Sequence, residues 1–156
     1  MKKTALHCAV GLLARREHSE TELIEELTQR DFSPAKIDEA IRGVLEKNYL
    51  SDERFASSRC RYHSKRGFGW IYIANELEQK GVCATIIQNL RESCEIDWYL
   101  QAELAYNKRF GINISIADSD DEALDKKAAQ KEQAKIINFL QYRGFSVDEI
   151  MAVIET

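Results

Sequence analysis

The chain has 156 residues, 44% apolar and 31% charged, the composition of a folded protein rather than a disordered tail or a membrane bundle. Only 7 Gly and 1 Pro supply turns, which excludes a many-stranded sandwich or barrel and makes long helices the expectation. A formal net charge of −4 excludes a uniformly basic, histone-like protein but not local nucleic-acid contact, because the distribution of charge matters more than its sum.

The first element is a helix over roughly 4–16. Met1-Lys2-Lys3 and the apolar run to Ala14 look superficially like a signal peptide. However, His7 interrupts the run, and Arg15-Arg16-Glu17 stands where a small-residue cleavage site belongs. Leu6, Val10 and Leu13 repeat at the spacing of one helix face. The expectation is a mature, cytoplasmic start. Cys8, Cys60, Cys83 and Cys94 show no C-x-x-C spacing and suit a reducing compartment as small core residues. No run of 18 apolar residues is present to span a membrane.

From Ser19 onward one frame occurs three times: Leu23, Leu27, Phe32, Ile37, Ile41; then Ile73, Leu77, Val82, Ile87, Leu90; then Ile136, Leu140, Phe145, Ile150, Ile154. Each has an apolar pair four apart, then a five-residue step that breaks helical phase, so each reads as helix–turn–helix. The turns are Arg30-Asp31, Lys80-Gly81 and Arg143-Gly144, where Gly suits a left-handed C′ position and the cation suits the negative helix end. Ser19 with Glu22, and Ser146 with Glu149, read as capping boxes, and Ser33-Pro34 as an N-cap with Pro at the first helical position. Further helices near 4–16, 52–66 and 97–109 precede the pairs. The predicted architecture is all-α, an elongated, curved tandem array of three three-helix repeats with about nine helices. The repeats span 1–52, 53–96 and 97–156. The last carries an acidic insertion near 111–125 (Asp118, Asp120, Asp121, Glu122, Asp125), read as a solvated loop or frayed helix start.

The middle repeat carries the candidate contact surface. Arg54, Arg59, Arg61, Lys65 and Arg66 fall in 54–72 without one acid, interleaved with Phe55, Tyr62, Phe68, Trp70 and Tyr72. Cations for phosphates and rings for stacking are what single-stranded nucleic acid needs. On a helical wheel Arg54, Ser58, Arg61 and Lys65 form one stripe, the preferred contact surface. Ala56, Cys60 and His63 point inward, Phe55 and Tyr62 lie on a flank, and Arg59 and Arg66 lie beyond it, partly buried or paired.

Enzyme motifs do not fit. The third Gly of a dinucleotide loop starting at Gly67 would fall at Tyr72, and no Gly-Lys pair serves a Walker loop. An EF-hand counted from Asp118 would need Gly at Ala123 and Glu at Ala129. Cys60 and His63 share a helix but have no third orienting group, and His7 and His18 lack ligand partners at metal spacing. The reading is a binder with no catalytic residue, cofactor, metal or small-molecule substrate. A DNA-reading helix-turn-helix over 20–47 with a following wing is the alternative. Against it, the would-be recognition helix balances Lys36, Arg42 and Lys47 with Asp38, Glu39 and Glu46, and the segment after Asp52 has helical spacing.

Four stretches together resemble the RecX family, regulators of the RecA recombinase. They are Leu12 to Leu23, Asn48 to Ala56, Gly67-Phe68-Gly69-Trp70 with Glu76 to Gly81, and Phe139 to Phe145. Ser51 stands where many members have Asp, 111–125 is a variable region, and the first pair ends in Asp31 rather than Gly. The resemblance implies three tandem three-helix repeats and no enzymatic activity. It implies binding in the groove of the RecA filament on single-stranded DNA. It also implies inhibition of the filament's ATPase, co-protease and strand-exchange activities, and so a part in DNA repair, recombination and the SOS response. Some members bind DNA directly. The rival reading is a free-standing nucleic-acid-binding helical domain acting without a recombinase.

Overall fold

A computed structural model describes residues 3–111 and 122–155. Nine helices and no strand occur among them: α1 (Ala5–Arg15), α2 (Glu20–Gln29), α3 (Pro34–Glu46), α4 (Asp52–Lys65), α5 (Trp70–Gln79), α6 (Ala84–Ser93), α7 (Trp98–Phe110), α8 (Glu122–Tyr142) and α9 (Val147–Glu155). The all-α expectation is met. The chain forms two compact units: Met1–Arg61 with Ala74–Glu95, and Tyr62–Ile73 with Ile96–Thr156. Their boundaries cut α4 and α5, so the units do not coincide with the three sequence repeats.

The five-residue steps of the repeat frame are Schellman turns. The Phe32, Val82 and Phe145 amides donate to the carbonyls of Leu27, Leu77 and Leu140 at 3.4, 3.0 and 3.1 Å. The Asp31, Gly81 and Gly144 amides close the inner bonds to Thr28, Glu78 and Gln141, each 3.0 Å. Asp31, Gly81 and Gly144 accordingly have φ of 67°, 81° and 91°. The apolar residues flanking each turn are the ones the pattern selects, because the residue after the left-handed position lands on the one that accepts its bond. Leu27, Leu77 and Leu140 are all fully buried.

In the first unit α1, α2 and α3 close over Ala5, Ala9, Leu23, Leu27, Ile37, Ile41, Val44 and Leu50. Ser19 caps α2 and Glu22 returns the bond, the predicted capping box, and Ser33 caps α3 ahead of Pro34. The face of α1 differs from expectation. Ala5 and Ala9 are buried, whereas Leu6 and Val10 are 40% and 38% exposed. Small residues let α1 approach α3 closely, and the Leu6 side chain lies over Gly43, where a Cβ would meet it at 3.2 Å. The periodicity of the bulky residues pointed to the wrong stripe.

In the second unit α7, α8 and α9 pack around Ala102, Ala105, Leu140, Phe145, Ile150 and Val153. Asp97 caps α7, and Ser146 and Glu149 form the second predicted capping box at 3.0 and 3.2 Å. The acidic insertion lies largely outside the described residues, Asp118, Asp120 and Asp121 included. Glu122 and Asp125 belong to α8.

One junction is built twice, once in each unit. In the first, Ser19 Oγ donates to the Lys80 carbonyl at 2.7 Å, so the start of α2 sits on the turn after α5. In the second, the Gly69 and Ile71 amides donate to the Arg143 and Gly144 carbonyls at 2.7 and 3.0 Å, so the start of α5 sits on the turn after α8. Both approaches need glycine. A Cβ on Gly81 would strike Thr21 Oγ1 and come within 2.7 Å of Thr21 Cβ, and one on Gly144 would strike the Tyr72 amide and come within 2.5 Å of Tyr72 Cβ. Asp31 occupies the matching left-handed position but is exposed, and Asp tolerates that conformation.

Glu22 ties the first junction to charge. Its carboxylate accepts from Arg16 at 3.2 Å and lies 3.4 Å from Lys80 Nζ, with only 11% of its side chain exposed. Burial alone would raise its pKa. The Arg16 hydrogen bond, the Ser19 amide and the charges of Arg16 and Lys80 outweigh burial and hold it below the ordinary value of 4.5. A depressed carboxylate stabilises the fold above its unfolded pKa, and that contribution is lost as pH falls through the folded one. The melting-temperature gap between wild type and Glu22→Gln is therefore expected to be open at neutral pH and to close below 4.5; a gap independent of pH refutes the linkage. Gly144→Ala is expected to cost about 2–4 kcal/mol, from the left-handed conformation and the clash with Tyr72 backbone, and to lower Tm by about 5–10 °C. Asp31→Gly is expected to change stability by less than about 1 kcal/mol. Thermal melts of the two variants check the contrast.

Candidate nucleic-acid interface

Helix α4 begins where Ser51 Oγ accepts the Arg54 amide at 3.2 Å and Asp52 reaches across to the Glu20 amide at 2.8 Å. Its inward face carries Phe55, Ala56, Cys60 and His63, all buried. Ala56, Cys60 and His63 lie as expected. Phe55 is a correction: placed on a flank by the helical wheel, it is 1% exposed and belongs to the core. The inward arc is broader than a narrow apolar stripe would give. Burial, with Cys94 beside it, pushes the Cys60 thiol up to about 12, so it is a protonated core residue at neutral pH.

The five candidate cations divide between the units. In the first, Arg54 is held by the fold. Its Nε donates to Glu17 Oε1 at 3.0 Å, and its Nη atoms donate to Asn48 Oδ1 at 3.1 Å and to the Asn48 carbonyl at 2.7 Å. Asn48 is the left-handed residue (φ 60°) that ends α3, so Arg54 clamps the α3–α4 turn. Arg59 pairs with Glu76 at 2.6 Å, in keeping with the partly buried or paired placement expected of it. Arg61 is exposed.

In the second unit Lys65 and Arg66 are both exposed. Arg66 donates to Tyr62 Oη at 3.0 Å, and its guanidinium lies 5.1 Å from the centre of that ring. Of the five rings in the stretch, Phe55 and Trp70 are buried, Phe68 and Tyr72 half-buried, and Tyr62 is 49% exposed. Only part of the expected stacking set is thus within reach of a ligand. Arg143, which by its sequence position is only a turn cation, also belongs to this surface. Arg143 donates to the Arg66 carbonyl at 3.0 Å and lies 4.6 Å from the Phe68 ring centre. The one available signal is its position beside Phe139 and Tyr142.

Among the described residues no group of three or more His, Cys, Asp or Glu side chains converges as a metal site. His18 is buried with Nδ1 3.1 Å from the Arg16 carbonyl, a structural role. No described helix is long and apolar enough to cross a membrane. Residues after Asp52 form α4 rather than a wing.

Comparison with known proteins matches three family descriptions in order along the chain. The first three-helix domain of RecX matches residues 5–42, the second matches 51–89 and the third matches 123–154. A "Regulatory protein RecX" from Vibrio parahaemolyticus is 40% identical over 143 residues, covering 91% of this chain and 84% of the relative. One from Halorhodospira halophila is 34% identical over 144 residues, covering 92% and 82%. The crystal structure of RecX from Lactobacillus salivarius shares the fold with a TM-score of 0.75 at 21% identity, over 97% of this chain and 92% of that one. The repeated helix frame, the doubled junction and these likenesses agree, and the chain belongs to the RecX family of regulatory proteins.

Proposed function

We propose that this protein regulates the RecA recombinase in the cytoplasm, without catalysis of its own. It binds along the groove of the filament on single-stranded DNA and inhibits its ATPase, co-protease and strand-exchange activities. The observation that carries the reading is the tandem of three-helix domains, matched in order to RecX and joined by the same junction twice. A tandem of small modules touches successive subunits of a polymer, and each contact after the first acts intramolecularly, which raises avidity. Bridging neighbours opposes the subunit motions that ATP turnover and strand exchange require. The exposed cations Arg61, Lys65 and Arg66 supply contacts to phosphates or to acidic filament walls. Arg54 and Arg59 lie beside the carboxylates of Glu17 and Glu76.

The test is inhibition of the DNA-dependent ATPase of a RecA filament. The triple variant Arg61→Ala/Lys65→Ala/Arg66→Ala is expected to inhibit at least about tenfold more weakly and to change the log–log salt slope by roughly 2. Unaltered inhibition with unaltered salt dependence removes these cations from the mechanism. Arg54→Ala is expected instead to lower stability by about 1 kcal/mol, screened because the pair is part-exposed, and so Tm by about 2–4 °C. A pull-down on bare against RecA-coated single strands separates the regulator from a free-standing nucleic-acid-binding domain, which prefers bare strands.

A further inference from the structure

A row of alternating cations and rings runs through the second unit. Arg66 lies between Tyr62 and Phe68, 5.1 and 5.8 Å from their ring centres. Arg143 lies between Phe68 and Phe139, at 4.6 and 5.2 Å. Phe139 meets Phe110 edge-on at 5.5 Å, and Arg109 lies 5.5 Å from the Phe110 ring centre. Three segments distant in sequence contribute: the end of α4 with the turn that follows it, the end of α7 and the end of α8. Tyr62, Arg66 and Arg109 are exposed, and Phe68, Arg143, Phe139 and Phe110 are half-buried.

Among the described residues Arg66, Arg109 and Arg143 are engaged by rings, a phenol and a carbonyl, and by no carboxylate. This sets them apart from Arg54 and Arg59, whose charge is matched by Glu17 and Glu76. A guanidinium lying on a ring keeps its full charge and its outward N–H groups, and its plane is a stacking surface as the ring is.

We propose that this ladder is a binding track for single-stranded nucleic acid, with Arg66, Arg143 and Arg109 on successive phosphates and bases stacking on Tyr62 and the guanidinium planes. Alternation of charge and stacking surface fits a strand whose phosphates and bases alternate. An acidic protein segment has nothing to place on the rings, and a duplex keeps its bases stacked on each other. The assignment rests on the reading above only for the source of the strand, and it places the DNA contact off the Arg54/Arg61/Lys65 stripe.

The test is fluorescence anisotropy of the full chain with labelled oligo(dT) of about 20 nucleotides at low salt. Arg66→Ala/Arg109→Ala is expected to weaken binding about tenfold or more and to reduce the salt slope by about 1.4, two single-strand phosphate contacts. Tyr62→Ala is expected to weaken binding about fivefold or more while leaving the slope unchanged. Lys126→Ala/Lys127→Ala, exposed cations of α8 outside the ladder, is the charge-matched control and is expected to stay within about twofold. Arg143 is left intact because it also holds the end of α4. Absence of wild-type binding, equal loss in both double variants, or displacement by polyglutamate as readily as by unlabelled oligo(dT) overturns the proposal. Inhibition of the RecA ATPase by the wild type is measured alongside. If the wild type inhibits and Arg66→Ala/Arg109→Ala binds oligo(dT) normally, only the ladder is lost. If the wild type fails to inhibit and the double variant loses oligo(dT), only the filament reading is lost.

Discussion

Everything in this fold depends on how unpaired backbone groups at helix ends are matched. A helix leaves four amides bare at its start and four carbonyls at its finish, carrying partial positive and negative charge. Here the start of one helix is set on the finish of another: Ser19 meets the carbonyl after α5, and Gly69 and Ile71 meet the carbonyls after α8. The second junction satisfies orphan groups of both helices, the first an orphan carbonyl through the capping hydroxyl, and both bring opposite dipole ends together. The approach is close enough that the left-handed residue in between has no room for a Cβ. Two demands, positive φ and close contact with a neighbouring helix (the Thr21 side chain at Gly81, the Tyr72 backbone at Gly144), fall on the same atom position. Asp31 shows what happens when only the first applies: a side chain is tolerated.

The same economy governs the charged residues. Arg16, Lys80 and Glu22 gather at the first junction, and Arg54 joins Glu17 to the end of α3. The stretches that carry the RecX resemblance are these same residues, from Arg16-Glu17-His18-Ser19 through Asn48 and Arg54 to Gly81 and Gly144. The recognisable motifs are therefore the parts that build turns and junctions. That is why the family resemblance is carried by local motifs, whereas the compensation of each cation is not.

The frame was readable because a Schellman turn constrains residue types locally. The apolar residue at the accepting carbonyl, the left-handed position and the apolar residue after it fall within six positions, and the capping boxes within four. What failed lay beyond that range. Glu17 is 37 residues from Arg54 and Arg143 is 77 from Arg66, so no local pattern says which cation is neutralised or which ring is covered. The buried face of α1 differs from its bulky-residue pattern because two alanines, weak in any hydrophobic pattern, line the core. Phe55 was misread because a mixed helix of polar and small residues has no sharp apolar stripe to fix its rotation.

For a chain of net charge −4 to bind an anionic polymer, as proposed, uncompensated cations must be concentrated in one place. Counting cations along α4 finds the density but not the compensation. Of the five, Arg54 and Arg59 lie beside carboxylates, where their field at a distance largely cancels. Arg66 rests on aromatic faces, which orient a guanidinium without neutralising it, and so do Arg109 and Arg143 from outside the stretch. A ring neighbour in place of an acid thus marks charge that remains available to a partner. By that criterion the contact surface proposed for the second unit is defined by the company its arginines keep rather than by their number.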